Sequence, residues 1–112
     1  MVEMNILAVA ILLVFWHCIA DYPLQGDFMA QAKNKNTDTG KSYWFVVLPA
    51  HAMIHAGGVF VITGSFVCFV LELTSHAVID YLKCENKITF NQDQALHIIF
   101  KCIAVAIIGL GA

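Results

Sequence analysis

The sequence predicts an all-α polytopic membrane protein, an antiparallel bundle of four transmembrane helices with a short interfacial helix in the first loop. Three observations carry this expectation. Of 112 residues, 60% are hydrophobic and only 12% charged, about half the charged share of an ordinary soluble domain. Apolar runs of the length needed to cross a hydrocarbon layer recur along the chain. Every cation is a lysine, and all but Lys101 lie between those runs. The length fits a single domain, 1–112. A formal net charge of -2 with no basic patch excludes a nucleic-acid partner.

The first helix is expected over about 4–20. Cys18-Ile19-Ala20 could pass for a signal-peptide cleavage site, but the preceding segment carries Glu3 and no positive charge, which favours a membrane span. That helix should end near Asp21 and Pro23. Leu24 to Ala32 alternates loosely between apolar and polar positions and reads as the interfacial helix. Asn34 to Lys41 is a turn-rich loop. From Tyr43 to about Lys83 the chain is almost continuously apolar, broken at Thr63-Gly64-Ser65, so helices are expected at 43–62 and 66–83. Tyr43 and Trp44 suit a membrane interface. Pro49 either kinks the second helix or begins its regular part. Asn91 is the expected N-cap of a last helix over about 92–111. The four cysteines have no CxxC spacing and read as reduced core residues.

Lysine placement sets the orientation. Lys33, Lys35 and Lys41 occupy the first loop and Lys83 and Lys87 flank the third, so both loops should be cytoplasmic and both termini outside. These loop lysines are read as topology determinants rather than phosphate binders.

The chemistry lies in four polar pairs, one per long helix: His17 and Asp21, His51 and His55, His76 and Asp80, Asp93 and His97. Each pair is spaced i, i+4 and so presents two side chains on one helix face. All five histidines are used, an arrangement expected by chance on the order of once in a thousand such compositions when matches to the template are counted. Helical rise places all four pairs toward the cytoplasmic leaflet, with His51 and His55 somewhat deeper. Facing helices of a four-helix bundle are an established frame for a two-metal centre. Each aspartate at membrane depth costs about 2.5–3.5 kcal/mol, and with no arginine to pair them two divalent cations would neutralise the three. Imidazole with carboxylate suits zinc first, then iron or manganese, rather than magnesium or calcium. Any of Asp21, Asp80 and Asp93 could bridge two ions or act as general base. Deeper on the same faces, Glu72 and Lys101 are expected to pair and close the floor of the site. Gln25 and Gln94 are candidates to support a ligand from behind. Taken singly, each histidine is more often a hydrogen-bonded core residue; four matching pairs at matching depth favour a shared metal site.

The stretches His17-x3-Asp21-Tyr22-x2-Gln25 through Met29-Ala30, His51-x3-His55, His76-x3-Asp80-x2-Lys83 and Asp93-Gln94-x2-His97 resemble the DUF3307 family of small bacterial and phage integral membrane proteins. The resemblance covers all four long helices. It implies a multi-pass protein of the bacterial cytoplasmic membrane. Its pattern is similar in style to membrane-bound metal-dependent hydrolases, an analogy that implies hydrolysis.

The expected function is a membrane-embedded, metal-dependent hydrolase with a centre of two metal ions at the cytoplasmic leaflet, acting on a phospholipid or lipid-linked phosphate ester. The alternatives are a metal-ion or proton transporter using the same ligands, a redox di-iron or haem protein, and a non-enzymatic phage membrane protein with a structural metal. Small residues such as Gly57, Gly58, Gly109 and Gly111 suit a homo-oligomer contact.

Overall fold

A computed structural model describes residues 5–111, which form five helices: α1 (Ile6–Asp21), α2 (Asp27–Ala32), α3 (Gly40–Thr63), α4 (Phe66–Cys84) and α5 (Phe90–Gly109). The long helices close a ring in which α1 packs on α3, α3 on α4, α4 on α5 and α5 on α1, while the short α2 lies against α3. The body is 46 Å long and 25 by 21 Å across.

Local chemistry explains each boundary. Asn5 caps α1, its Oδ1 accepting from the Ala8 amide at 2.8 Å; Met4, the expected first residue, lies outside the described residues. α2 begins at Asp27 rather than Leu24, because the turn through Pro23 and the extended Gly26 delay it. α3 begins at Gly40, three residues before Tyr43, since the Thr37 hydroxyl folds the loop back by donating to the Gln31 carbonyl and accepting from the Gly40 amide at 2.9 Å. The helix runs unbroken through Pro49. At the next turn Gly64 adopts a left-handed φ of 65°, which costs glycine least. Ser65 then caps α4 by accepting from the Cys68 amide at 3.2 Å. Thr89, not Asn91, caps α5. Its hydroxyl accepts from the Gln92 amide while the Gln92 side chain returns to the Thr89 amide, and this reciprocal pair outcompetes a lone asparagine two residues on.

The packing is inverted relative to a water-soluble bundle. The buried apolar cluster consists of Val9, Leu13, Val59, Cys68 and Ala104, all toward the end of the bundle that holds the α3–α4 turn. The other half buries all five histidines with Glu72, Asp80, Asp93 and Lys101. Large apolar side chains such as Leu7, Phe15, Phe45, Val61 and Phe66 point outward. Two helices, α3 and α5, are long and apolar enough to cross a membrane. α1 is apolar but has 16 described residues, and α4 carries Glu72, Asp80 and Lys83, the first two turned inward.

Gly58 has a role inside the chain. A Cβ there would strike the Trp16 ring, and Trp16 Nε1 donates to the Ile54 carbonyl at 3.2 Å. Gly58 thus lets α1 pack closely on α3, while Gly57 faces open space. Gly58→Ala should therefore lower stability by about 1–3 kcal/mol through overpacking, while Gly57→Ala leaves it unchanged or raises it. Thermal unfolding in detergent would compare the two, and equal midpoints would refute the assignment.

Candidate metal centre

Helix ends and helix rotation bring the four polar pairs to one place. α1 presents His17 and Asp21 in its last two turns, α5 presents Asp93 and His97 in its first two, α4 supplies His76 and Asp80 from its C-terminal half, and α3 supplies His51 and His55 from its middle. The mid-helix position matches the others because α3 starts early, so its first turns stand beside α2, level with the loops.

Two aspartates organise the cluster. Asp21 Oδ1 lies 2.8 Å from His55 Nε2, 3.3 Å from His51 Nε2 and 3.9 Å from His76 Nε2, while its Oδ2 lies 3.4 Å from His17 Nε2. Asp80 Oδ2 is 3.4 Å from both His51 Nε2 and His76 Nε2, and its Oδ1 is 3.1 Å from His97 Nε2. Asp93 Oδ1 lies 3.5 Å from His97 Nε2. The rings are crowded: His55 stacks on His76 with centroids 3.7 Å apart, and His76 on His97 at 4.1 Å.

These residues fit a metal ion. Ligand atoms about 2.0–2.1 Å from a tetrahedral ion lie about 3.3–3.4 Å from one another, and several of the N···O separations fall at that value. Asp21, His51, His55 and His76 form one set whose ligand atoms all lie within 4.8 Å of each other, and His76, Asp80 and His97 form a second. His51 Nε2 and His76 Nε2 are buried without a hydrogen-bond partner, a costly condition in a closed interior that a Lewis acid would relieve.

Behind the cluster His76 Nδ1 meets Glu72 Oε1 at 3.2 Å, and the same oxygen accepts from Lys101 Nζ at 2.6 Å. A carboxylate on Nδ1 fixes the tautomer and turns the Nε2 lone pair inward. Gln94 bridges the two halves: its Nε2 donates to Asp21 Oδ2 at 3.2 Å and to Asp93 Oδ2 at 2.9 Å, and its Oε1 faces His17 Nε2 at 3.2 Å. Gln25 hydrogen-bonds the backbone rather than a ligand side chain, donating to the Asp21 carbonyl at 3.3 Å.

Lys33 is the residue that sequence reasoning missed. Expected only to set topology, it reaches in from the end of α2 to donate to Asp80 Oδ2 at 3.0 Å. The expectation of three unpaired carboxylates is corrected accordingly. Asp21, Asp80, Asp93 and Glu72 are set against the ammonium groups of Lys33 and Lys101, leaving two negative charges when the imidazoles are neutral. A clasp holds the approach to α3 in place. Lys35 donates to the Tyr81 hydroxyl at 2.8 Å and pairs with Glu85 at 3.1 Å, and Asn36 bonds the Cys84 carbonyl at 3.1 Å. Tyr81 and then Glu85 raise the Lys35 ammonium above its usual range, and Lys35 holds the Glu85 carboxyl below its own.

Over the cluster opens a cleft of about 260 Å³. Asp21, Asp80 and Asp93 face it from below, and Lys33, Lys83 and Asn86 are among its walls.

A match to the family described as Protein of unknown function (DUF3307) covers residues 9–111. The chain belongs to the DUF3307 family. No curated protein and no solved structure matches it. The region matched to DUF3307 contains all eight candidate ligands, together with Glu72, Gln94, Lys101 and the newly recognised Lys33.

Proposed function

We propose that this DUF3307 chain is a membrane-embedded, metal-dependent hydrolase. The observation that carries the reading is the convergence of His51, His55, His76 and His97 with Asp21 and Asp80 in two overlapping ligand sets, His17 and Asp93 standing at their edges, with the His51 and His76 Nε2 atoms buried without a hydrogen-bond partner. Asp21, His51 and His55 would hold one ion and Asp80 and His97 a second, with His76 completing one of the two sets and His17 and Asp93 beside their aspartate and histidine neighbours, zinc being favoured over iron or manganese by the mix of nitrogen and oxygen donors. A divalent ion at such a site supplies water acidified toward neutral pH. The chain's own part is to hold that site. Glu72 and Lys101 orient His76, and Gln94 ties Asp21 to Asp93.

Four membrane spans, α1, α3, α4 and α5, accompany this reading. An outward apolar surface with charges turned inward is stable in lipid and prone to aggregate in water. By lysine placement the cleft would face the cytoplasm at headgroup depth, which favours a phospholipid or lipid-linked phosphate ester as substrate. Transport by the same ligands is disfavoured because Val9, Leu13, Val59, Cys68 and Ala104 fill the opposite half of the interior.

The test is turnover. Zinc- or manganese-loaded protein in nanodiscs should hydrolyse at least one member of a panel of phospholipids and lipid phosphates, and Asp80→Asn should reduce the rate by at least about a hundredfold. Metal-loaded wild type that hydrolyses none of them would refute hydrolysis and leave a structural metal site.

A further inference from the structure

The cleft above the cluster does not end at the aspartates. A second, shallower cleft shares Lys83, Asn86 and Phe90 with it and adds Lys87, so one surface leads from the metal-ligand carboxylates to the outside of the α4–α5 turn. Lysine pairing is uneven along this surface. Lys33, Lys35, Lys41 and Lys101 each have a carboxylate partner within 4 Å; Lys83 and Lys87 have none among the described residues. Lys83 is also half-buried, where an ammonium without a counter-ion is costly.

The turn next to Lys83 is firmly built. Asn86 sits in the left-handed region at φ 58°, and Lys87 N donates to the Leu82 carbonyl at 2.9 Å, closing the end of α4. That closure sets Asn86 in the wall common to both clefts, with Lys83. An ammonium and a carboxamide lining one cleft are donors suited to phosphate oxygens. The floor carboxylates would repel such an anion by themselves. With the two negative charges counted above, one divalent ion makes the floor neutral and two make it positive, so anion capture at Lys83 depends on metal loading.

We infer that Lys83 and Asn86 form a phosphate-binding site at the mouth of the centre, receiving the phosphate group of a substrate or free phosphate once metal is bound. This inference rests on the metal reading above.

The probe is inorganic phosphate, followed by ³¹P relaxation on protein loaded with manganese in phosphatidylcholine nanodiscs, with bound manganese counted separately by electron paramagnetic resonance. Wild type should broaden the phosphate signal, and chelator should abolish the effect. Lys83→Gln should weaken phosphate binding by about tenfold or more, the loss expected for one charged hydrogen bond, with manganese content unchanged, and Lys83→Arg should retain binding. Phosphatidic acid in the nanodisc that displaces phosphate would identify the ligand as a lipid headgroup, and failure to displace it would identify free phosphate. Full manganese content with phosphate binding equal in wild type and Lys83→Gln would overturn the site while leaving the metal centre standing. A wild type that retains neither manganese nor zinc would overturn both.

Discussion

Replacing His51 and His55 together with alanine is expected to remove at least half of the bound transition metal, from about two ions per chain in the wild type. Both rings are fully buried, and both turn Nε2 toward Asp21 Oδ1. Without them Asp21 keeps His17 as its near neighbour and His76 at 3.9 Å, too few donors for a closed tetrahedral site. The two possible sets share His76, and one nitrogen binds one ion, so His76 must commit to one half. Removing the His51 and His55 half should spare the ion held by His76, Asp80 and His97 unless an aspartate bridges the pair, in which case both are lost. Mass-spectrometric metal content on detergent-purified protein distinguishes these outcomes. A single ion per chain in the wild type would make part of the cluster supporting structure. Wild-type protein free of metal, in a preparation never exposed to chelator, would remove the basis for the centre.

Lys101→Met is expected to destabilise the fold by about 3–5 kcal/mol, the loss typical when one partner of a buried ion pair is deleted. Lys101 and Glu72 are each almost wholly buried, and their 2.6 Å contact lies between the ligand cluster and the apolar end. The single change strands Glu72 with only His76 Nδ1 as donor. Lys101→Met combined with Glu72→Gln should recover much of the loss, since the amide can still accept from His76 and carries no charge. Equilibrium unfolding in detergent, run as a double-mutant cycle, gives the coupling. Additive effects of the two substitutions would mean that the pair contributes nothing as a pair.

The features legible in the sequence are those set by local geometry. The i, i+4 spacing of His51 and His55 holds in any α-helix, so a shared face could be read without knowing what lay opposite. Likewise Gly64 and Ser65 mark a break through their own backbone and capping preferences. What escaped depends on paths and rotations that spacing does not encode. Lys33 reaches Asp80 only because the loop after α2 folds back on Thr37 and is clasped by Lys35 and Asn36. Gln25 and Gln94 look equivalent as sequence neighbours of ligands, yet the rotation of α5 puts Gln94 between two aspartates while Gln25 bonds backbone. Thr89 was overlooked because Asn91 is the stronger cap in isolation, and the reciprocal bond from Gln92 reverses that order. Gly58 offered a smooth surface to a partner of any origin, and only the packing of α1 on α3 shows Trp16 in that notch.

The apolar cluster of Val9, Leu13, Val59, Cys68 and Ala104 closes the interior opposite the cleft that opens over the aspartates. A molecule that reached the ligands through that cleft would also leave by it, so arrival of a new one would wait on departure of the old. A compound wedged between Lys83 and Asp93 would therefore block uptake and release together, without touching an imidazole.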